Sequence, residues 1–324
     1  MSRSSKRRKW RLPPEKARSA VPQVGRPSRF ASTPWWLSDW WLLDEQGHVG
    51  DITCDVGTIG DLAVTGASIR GYSHRVARGR CEDSFSIRAG RTSGDLAFLV
   101  SVIGDGLGSA KYSAFGSRRA TELFSRHLTT ALSDATELTE DVVEAATAKS
   151  VADVRSAVLI WTRDDFLAPP DPPSEVEPKE LETTLTFTVT PANPQEDGTR
   201  TVFYGYIGDS PIFTLGAEGW TRISVGDDDE ILGTATDALH SSENFEKGSL
   251  KLCDNEVLLL ATDGVGNFLM SGDQQLPVGK HLAHQWRQPV DSSAFVSDLM
   301  FDFRTADDDR TAVVCWPHRS QHNS

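Results

Sequence analysis

The sequence predicts an α+β layered fold, and two observations carry that expectation. The apolar segments come in runs: strands, two helices, strands, two helices, then a strand. A parallel doubly wound sheet would instead show strict strand–helix alternation. In addition, three strands are near-continuous apolar runs with carboxylates at one end. Leu96–Ile103 runs through Gly104 into Asp105, Val257–Ala261 through Thr262 into Asp263, and Thr311–Trp316 follows Asp307, Asp308 and Asp309. Runs of this length, rich in β-branched residues, read as strands buried on both faces. A carboxylate at the edge of a core is costly unless something neutralises it. Three such strands suggest side chains converging on cations.

The elements follow in order. Residues 1–33 read as a disordered tail, with ten Lys or Arg against Glu15 over residues 1–30, a net +9 that leaves −22 on the rest of a chain whose total is −13. The tail suits nucleic acid or an acidic partner; the acidic body does not suit a nucleic-acid backbone. Residues 34–61 form a Trp-rich segment, with Trp35, Trp36, Trp40 and Trp41 close together, that packs on the domain or docks a partner. The domain proper is expected over 62–317. Ala63–Arg70 and Ser84–Arg88 read as strands, followed by the Leu96 strand.

Ala120, Leu123, Phe124, His127, Leu128 and Ala131 recur at helical spacing, and Val151, Val154, Val158 and Trp161 mark a second helix from near Glu137. A Pro-rich, acidic loop fills 168–180. Leu181, Thr183, Leu185, Phe187 and Val189 alternate as in a strand. Thr201–Ile207 and Ile212–Leu215 are further strands, joined by a turn at Gly208–Pro211. Residues 226–247 read as an irregular acidic flap. Helices are expected over Val278–Arg287 and Ser293–Arg304.

The four cysteines are scattered without a Cys-x-x-Cys pair, which argues against a disulfide framework or a thiolate zinc site. No window reaches the length of a membrane span, and the basic N-terminus lacks the apolar core of a secretory signal. A cytoplasmic location without membrane contact is therefore expected. The glycines of 104–108 do not match a dinucleotide fingerprint or a phosphate-binding loop in spacing.

The chemistry sits in the acids Glu82, Asp83, Asp105, Asp209, Asp263 and Asp308. Oxygen-only ligands favour Mg²⁺ or Mn²⁺ over zinc, and paired cations relieve the repulsion among carboxylates. His281 and His284 lie on an expected helix and suit packing better than ligation. Two metals can acidify a water aimed at phosphorus, and a guanidinium is the natural holder of phosphate oxygens. Arg78 and Arg80 are near at hand.

Six short motifs then occur in order. They are Arg78-Gly79-Arg80-Cys81-Glu82-Asp83, Asp105-Gly106-Leu107-Gly108, Glu182-Thr183-Thr184, Gly208-Asp209-Ser210, Thr262-Asp263-Gly264 and Asp308-Asp309-Arg310-Thr311. In this order the chain resembles the metal-dependent type 2C protein serine/threonine phosphatases, particularly their bacterial branch, over about Ala63 to Trp316.

The resemblance implies a four-layer α-β-β-α sandwich: two central, mostly antiparallel sheets flanked by helix pairs. It implies two Mn²⁺ or Mg²⁺ ions. Asp105 would bridge them, the Gly106 carbonyl would bind one, and Asp263 and Asp308 the other. Glu82 and Asp83 would hold them directly or through water. Asp209 corresponds to a carboxylate of a weaker third ion, and Arg78 to the phosphate-binding arginine. Arg78, Asp105 and Asp263 would thus be the catalytic set.

The implied activity is hydrolysis of phosphoserine and phosphothreonine on proteins by direct attack of a hydroxide bridging the ions. The implied partners are a phosphorylated protein substrate and a cognate Ser/Thr kinase. Leu107, Cys81, Glu182 and Asn267 depart from the family's usual residues, Asn267 at the third-ion position. The alternative reading is a non-catalytic domain that binds a phosphoprotein or a kinase.

Overall fold

A computed structural model describes residues 52–77, 79–157, 176–223, 236–242, 245–303 and 306–317. The basic tail, the Trp cluster, Arg78, most of the Pro-rich loop and most of the expected flap lie outside the described residues.

In chain order the first half comprises β1 (Ile52–Ile59), β2 (Leu62–Ile69), α1 (Tyr72–Val76), β3 (Asp83–Arg91), β4 (Ala97–Asp105), α2 (Ser113–Ser133) and α3 (Glu140–Ala157). Next come β5 (Leu185–Pro191), β6 (Thr199–Ile207), β7 (Ile212–Gly216), β8 (Gly219–Arg222), β9 (Glu246–Cys253) and β10 (Val257–Ala261). The chain closes with α4 (Asp263–Gly266), β11 (Met270–Ser271), β12 (Gln274–Gln275), α5 (Pro277–Gln285), α6 (Ser292–Leu299) and β13 (Arg310–Pro317).

One sheet has the order β1-β2-β13-β10-β7-β8 and the other β3-β4-β5-β6-β9, with antiparallel pairing throughout. Strand alternation divides the core into three layers of side chains. On β4, Phe98, Val100 and Val102 pack with Leu123, Phe124 and Leu128 of α2, while Leu99 and Ile103 face the other sheet. On β10, Leu258 and Leu260 meet β4 between the sheets, while Val257, Leu259 and Ala261 pack with Leu282 of α5 and Phe295 of α6. The four layers are therefore helices, sheet, sheet, helices, as the fold expectation has it.

Local chemistry sets the element ends. Pro277 begins α5 where its missing N–H costs nothing, and the Asp291 carboxylate caps α6 by accepting from the Ser293 and Ala294 amides, both at 3.0 Å.

Several expectations are corrected. The sheet starts upstream of Leu62, because β1 pairs along the whole of β2. Leu181 and Thr183 are not part of a strand. Pro178–Leu181 forms a 3-10 turn started by its proline, and β5 begins at Leu185. Gly208–Pro211 is not a hairpin turn, since β6 and β7 belong to different sheets and the segment crosses between them. The flap interval is not irregular to its end: Glu246 and Lys247 start β9, and Ala238 and Leu239 are fully buried. The last two long helices stop at Gln285 and Leu299, short of Arg287 and Arg304.

Candidate active site and metal centre

The two sheets bring their acids to one end of the sandwich. β4 ends at Asp105 and β10 runs into Asp263, while antiparallel β13 begins just after Asp308 and Asp309, so all three reach the same edge. Asp83, at the start of β3, lies directly opposite Asp105 in the β3–β4 register. A cavity of about 360 Å³ there is lined by Glu82, Asp105, Gly106, Asp209, Asp263 and Asp308, together with His74 and Thr184.

Of the residues singled out from sequence, this end of the fold gathers Glu82, Asp83, Asp105, Gly106, Asp209, Asp263 and Asp308. Arg78 is outside the described residues. Asn267 caps α4, is exposed and does not line the cavity. His281 lies 3.9 Å from Asp298, well within the α5–α6 layer.

The motifs explain one another through hydrogen bonds. Thr183 Oγ1 and the Thr184 amide both donate to the Asp105 carbonyl, at 2.9 and 2.8 Å, while the Asp105 amide donates to Thr184 Oγ1 at 3.0 Å. The paired threonines thus fix the backbone from which the Asp105 carboxylate projects. Thr184 Oγ1 also lies 3.0 Å from Ser210 Oγ, and Thr186 Oγ1 donates to the Ser210 carbonyl at 2.9 Å. Those bonds hold the crossing segment that carries Asp209. Gly208 sits at φ +94°, a left-handed conformation that glycine adopts without strain.

Gly106 lies where a Cβ would come within 2.8 Å of the Glu82 carbonyl oxygen, which accepts from the Gly106 amide at 3.1 Å. Thr262 Oγ1 donates to Asp83 Oδ2 at 2.7 Å and accepts from the Thr311 amide at 3.0 Å, tying β3, β10 and β13 together beneath the cavity.

The electrostatics are those of crowded anions. Burial first, then the charges of Asp83, Asp263, Asp209 and Asp308, push the Asp105 carboxyl well above the ordinary range. Burial and then Asp309 do the same to Asp83. Asp263 is pushed up to about 6 by burial, Asp308 and Asp209, and its carboxyl is within hydrogen-bonding reach of Asp105. Glu82 and Asp209 are raised chiefly by burial. No lysine or arginine among the described residues lines the cavity. Clustered hard oxygen donors whose charges are unfavourable without a counter-ion suit divalent cations.

Two residues here were not singled out from sequence as site residues. Asp309 is 2 % exposed and accepts from the amides of Gly71 and Glu82, at 2.5 and 2.6 Å. His74 on α1 places Nδ1 2.9 Å from Asp309 Oδ2. That hydrogen bond is the main reason its imidazole is pushed up to about 9, against the opposing effect of burial. The partners are 235 residues apart and His74 belongs to none of the six motifs, so no local pattern could have paired them. Asp309 was visible as one of three consecutive acids.

The sequence matches the protein phosphatase 2C family over residues 70–299. Among solved structures, the chain is similar to the S. agalactiae serine/threonine phosphatase, with a TM-score of 0.51 and 11% identity, over 82% of this chain and 99% of that one. It is similar also to a bacterial serine phosphatase, with a TM-score of 0.51 and 12% identity, over 80% of this chain and 98% of that one. At these identities the two structures speak for the fold. Among curated proteins, none matches the sequence.

Proposed function

Because the chain belongs to the protein phosphatase 2C family, we propose that it is a working metal-dependent phosphatase that removes phosphate from phosphoserine and phosphothreonine in proteins. The observation that supports this reading best is the gathering of six acidic residues and the Gly106 backbone, from both sheets, at one cavity.

In this reading Asp105, the Gly106 carbonyl, Asp263 and Asp308 hold two Mn²⁺ or Mg²⁺ ions, and Glu82 and Asp83 support them directly or through water. Asp209 would serve a weaker third ion. When bound, such ions supply an acidified water and positive charge for phosphoryl oxygens.

The chain's own contribution is placement. Thr183 and Thr184 hold the Asp105 backbone in place, and Thr262 donates to the Asp83 carboxylate and so orients it. Arg78 would grip the phosphoryl group with its fork of donors. The acids keep one another's charges unfavourable until cations arrive, which couples metal binding to an active geometry. A cognate Ser/Thr kinase would supply the phosphoprotein.

The test is phosphate release from an aryl phosphate and from phosphoserine and phosphothreonine peptides, with Mn²⁺ and with chelator. Release should need the metal. Asp105→Asn and Asp263→Asn should each lower it by more than the ~100-fold expected for losing an outer-shell partner, with the fold retained by circular dichroism. A folded wild-type protein that binds Mn²⁺ and phosphopeptide but releases nothing would favour a non-catalytic regulator instead.

A further inference from the structure

We propose that His74 supplies a nitrogen ligand, through Nε2, to a divalent cation held on the Glu82–Asp308 side of the cavity. The site would then not be the oxygen-only centre that its carboxylates suggest. The inference rests on the metal-dependent reading above and deepens it.

The first support is how firmly the imidazole is placed. The Ser73 amide and Ser73 Oγ both donate to the Asp307 carbonyl at 2.9 Å, and the Gly71 amide donates to Asp309 Oδ1 at 2.5 Å. The short helix carrying His74 is thereby fastened to the 307–309 segment from both sides. The second support is the ring's orientation. Asp309 accepts from the Gly71 and Glu82 backbone amides, so its carboxylate acts as an acceptor and Nδ1 of His74 donates to it.

A carboxylate that accepts from one ring nitrogen, and so aims the other outward, is the usual outer arrangement of a metal-bound histidine. Nε2 is the nitrogen left for the cavity, and it faces Glu82 Oε1 at 3.8 Å. That separation is too long for a hydrogen bond. Two ligands of one cation, each about 2.1 Å from it, lie roughly 3 Å apart in a regular geometry. A small inward movement would therefore let an ion bridge nitrogen and carboxylate.

The third support is the company His74 keeps: its potential ligand atom lies within 4.8 Å of one on Asp308, in a group completed by Asp309, the carboxylate that holds the ring. A histidine present only for packing would face apolar neighbours, whereas this one lines a cavity of carboxylates. When the ion binds, the Nε2 proton leaves to solvent, so charge balances. The chemical consequence is selectivity. An imidazole ligand favours Mn²⁺ or Fe²⁺ over Mg²⁺, which prefers oxygen alone.

The test uses the full chain and the metal alone. Mn²⁺-loaded wild-type protein should show ¹⁴N modulation in pulsed electron paramagnetic resonance, replaced by ¹⁵N frequencies when the protein is grown with ¹⁵N-histidine. His74 is the one histidine lining the cavity among the described residues, so the isotope shift assigns the nitrogen to a histidine and the variant assigns it to His74. His74→Gln should abolish the modulation and lower Mn²⁺ affinity in calorimetry by more than the roughly 10–100-fold expected for losing an outer-shell partner, with Mg²⁺ affinity much less affected. Bound Mn²⁺ without nitrogen coupling, or coupling that persists in folded His74→Gln, would overturn the ligand assignment while leaving the metal-dependent reading intact. Absence of Mn²⁺ and Mg²⁺ uptake by the wild type would overturn both.

Discussion

Thr262 occupies the point where three strands meet under the cavity, and its hydroxyl is used twice. It gives its proton to Asp83 Oδ2 and takes the Thr311 amide on its lone pair. Thr262 is fully buried and Asp83 nearly so, so water cannot replace either bond. Thr262→Val keeps the shape and removes both. Each buried group left unsatisfied costs about 1–3 kcal/mol, so the variant should unfold at distinctly lower urea with an unchanged slope. Its Mn²⁺ affinity should fall by roughly 10–100-fold, since Asp83 loses the donor that orients it. Thr262→Ser retains the hydroxyl and should recover most of both. Equal stability of the Val and Ser variants would contradict the double role. The same logic explains why Asp105 was easy to find and Asp309 was not. Asp105 ends an apolar strand, a pattern visible along the chain, whereas Asp309 differs from its acidic neighbours only in what it touches.

Elements were legible where burial imposes a period. β4, β10 and β13 alternate between facing a helix layer and facing the opposite sheet, and apolar residues fill both faces. β1 lacks that signature because nearly all its residues are exposed, so ITCDVGTI offers no buried face to detect. The β6–β7 crossing was read as a hairpin because local sequence gives two strands and a turn but not the sheet each joins. What decides it is Ser210, bonded to Thr184 and Thr186 across the fold.

The end of α6 shows a similar long reach. Arg310, only 5 % exposed, donates to the carbonyls of Leu299, Phe301 and Ala306 at 3.0, 2.8 and 2.5 Å, and its guanidinium stacks 4.3 Å from the Phe301 ring. It closes the helix and binds the following segment to the strand that begins beside Asp308. A lysine cannot serve three carbonyls as a planar fork. Arg310→Lys should therefore lower unfolding free energy by about 2–4 kcal/mol in denaturant titrations, a value set by the carbonyls left bare. A loss below about 0.5 kcal/mol, the usual effect of a surface substitution, would show that the fork does not hold this element.

At the scale of the whole molecule, the acids that define the site also set how stability responds to pH and metal. Asp263 is pushed up to about 6 in the native protein from an ordinary value of 3.8. Its contribution is thus fully present below about pH 3.8 and lost as pH rises through 6, because the native state then holds a proton that the unfolded chain has released. Asp83, Asp105, Glu82 and Asp209 shift in the same direction. His240 opposes them: burial and Arg155 lower it from 6.5 to about 4, so it costs stability as pH falls below 6.5. His74, pushed up to about 9, and the raised Asp298 act in the same direction as the five carboxyls, so His240 works against all of them and stability falls as pH rises. In chelator, stability should fall between about pH 5 and about pH 8. On the metal-dependent reading proposed above, Mn²⁺ would bind the native cluster and not the unfolded chain, and would relieve the repulsion most where the carboxylates are charged. At 100 times its dissociation constant it should add about 2.7 kcal/mol, or roughly 5–10 °C in Tm for a domain of this size. The gain should be larger at about pH 8 than at about pH 5, where protons compete with the ion for the same oxygens. Calorimetric scans at both pH values, with Mn²⁺ and with chelator, measure all four stabilities. If the chelated protein instead gains stability toward alkaline pH, the carboxylates are not crowded as the cavity places them. The cation would then have no repulsion to relieve.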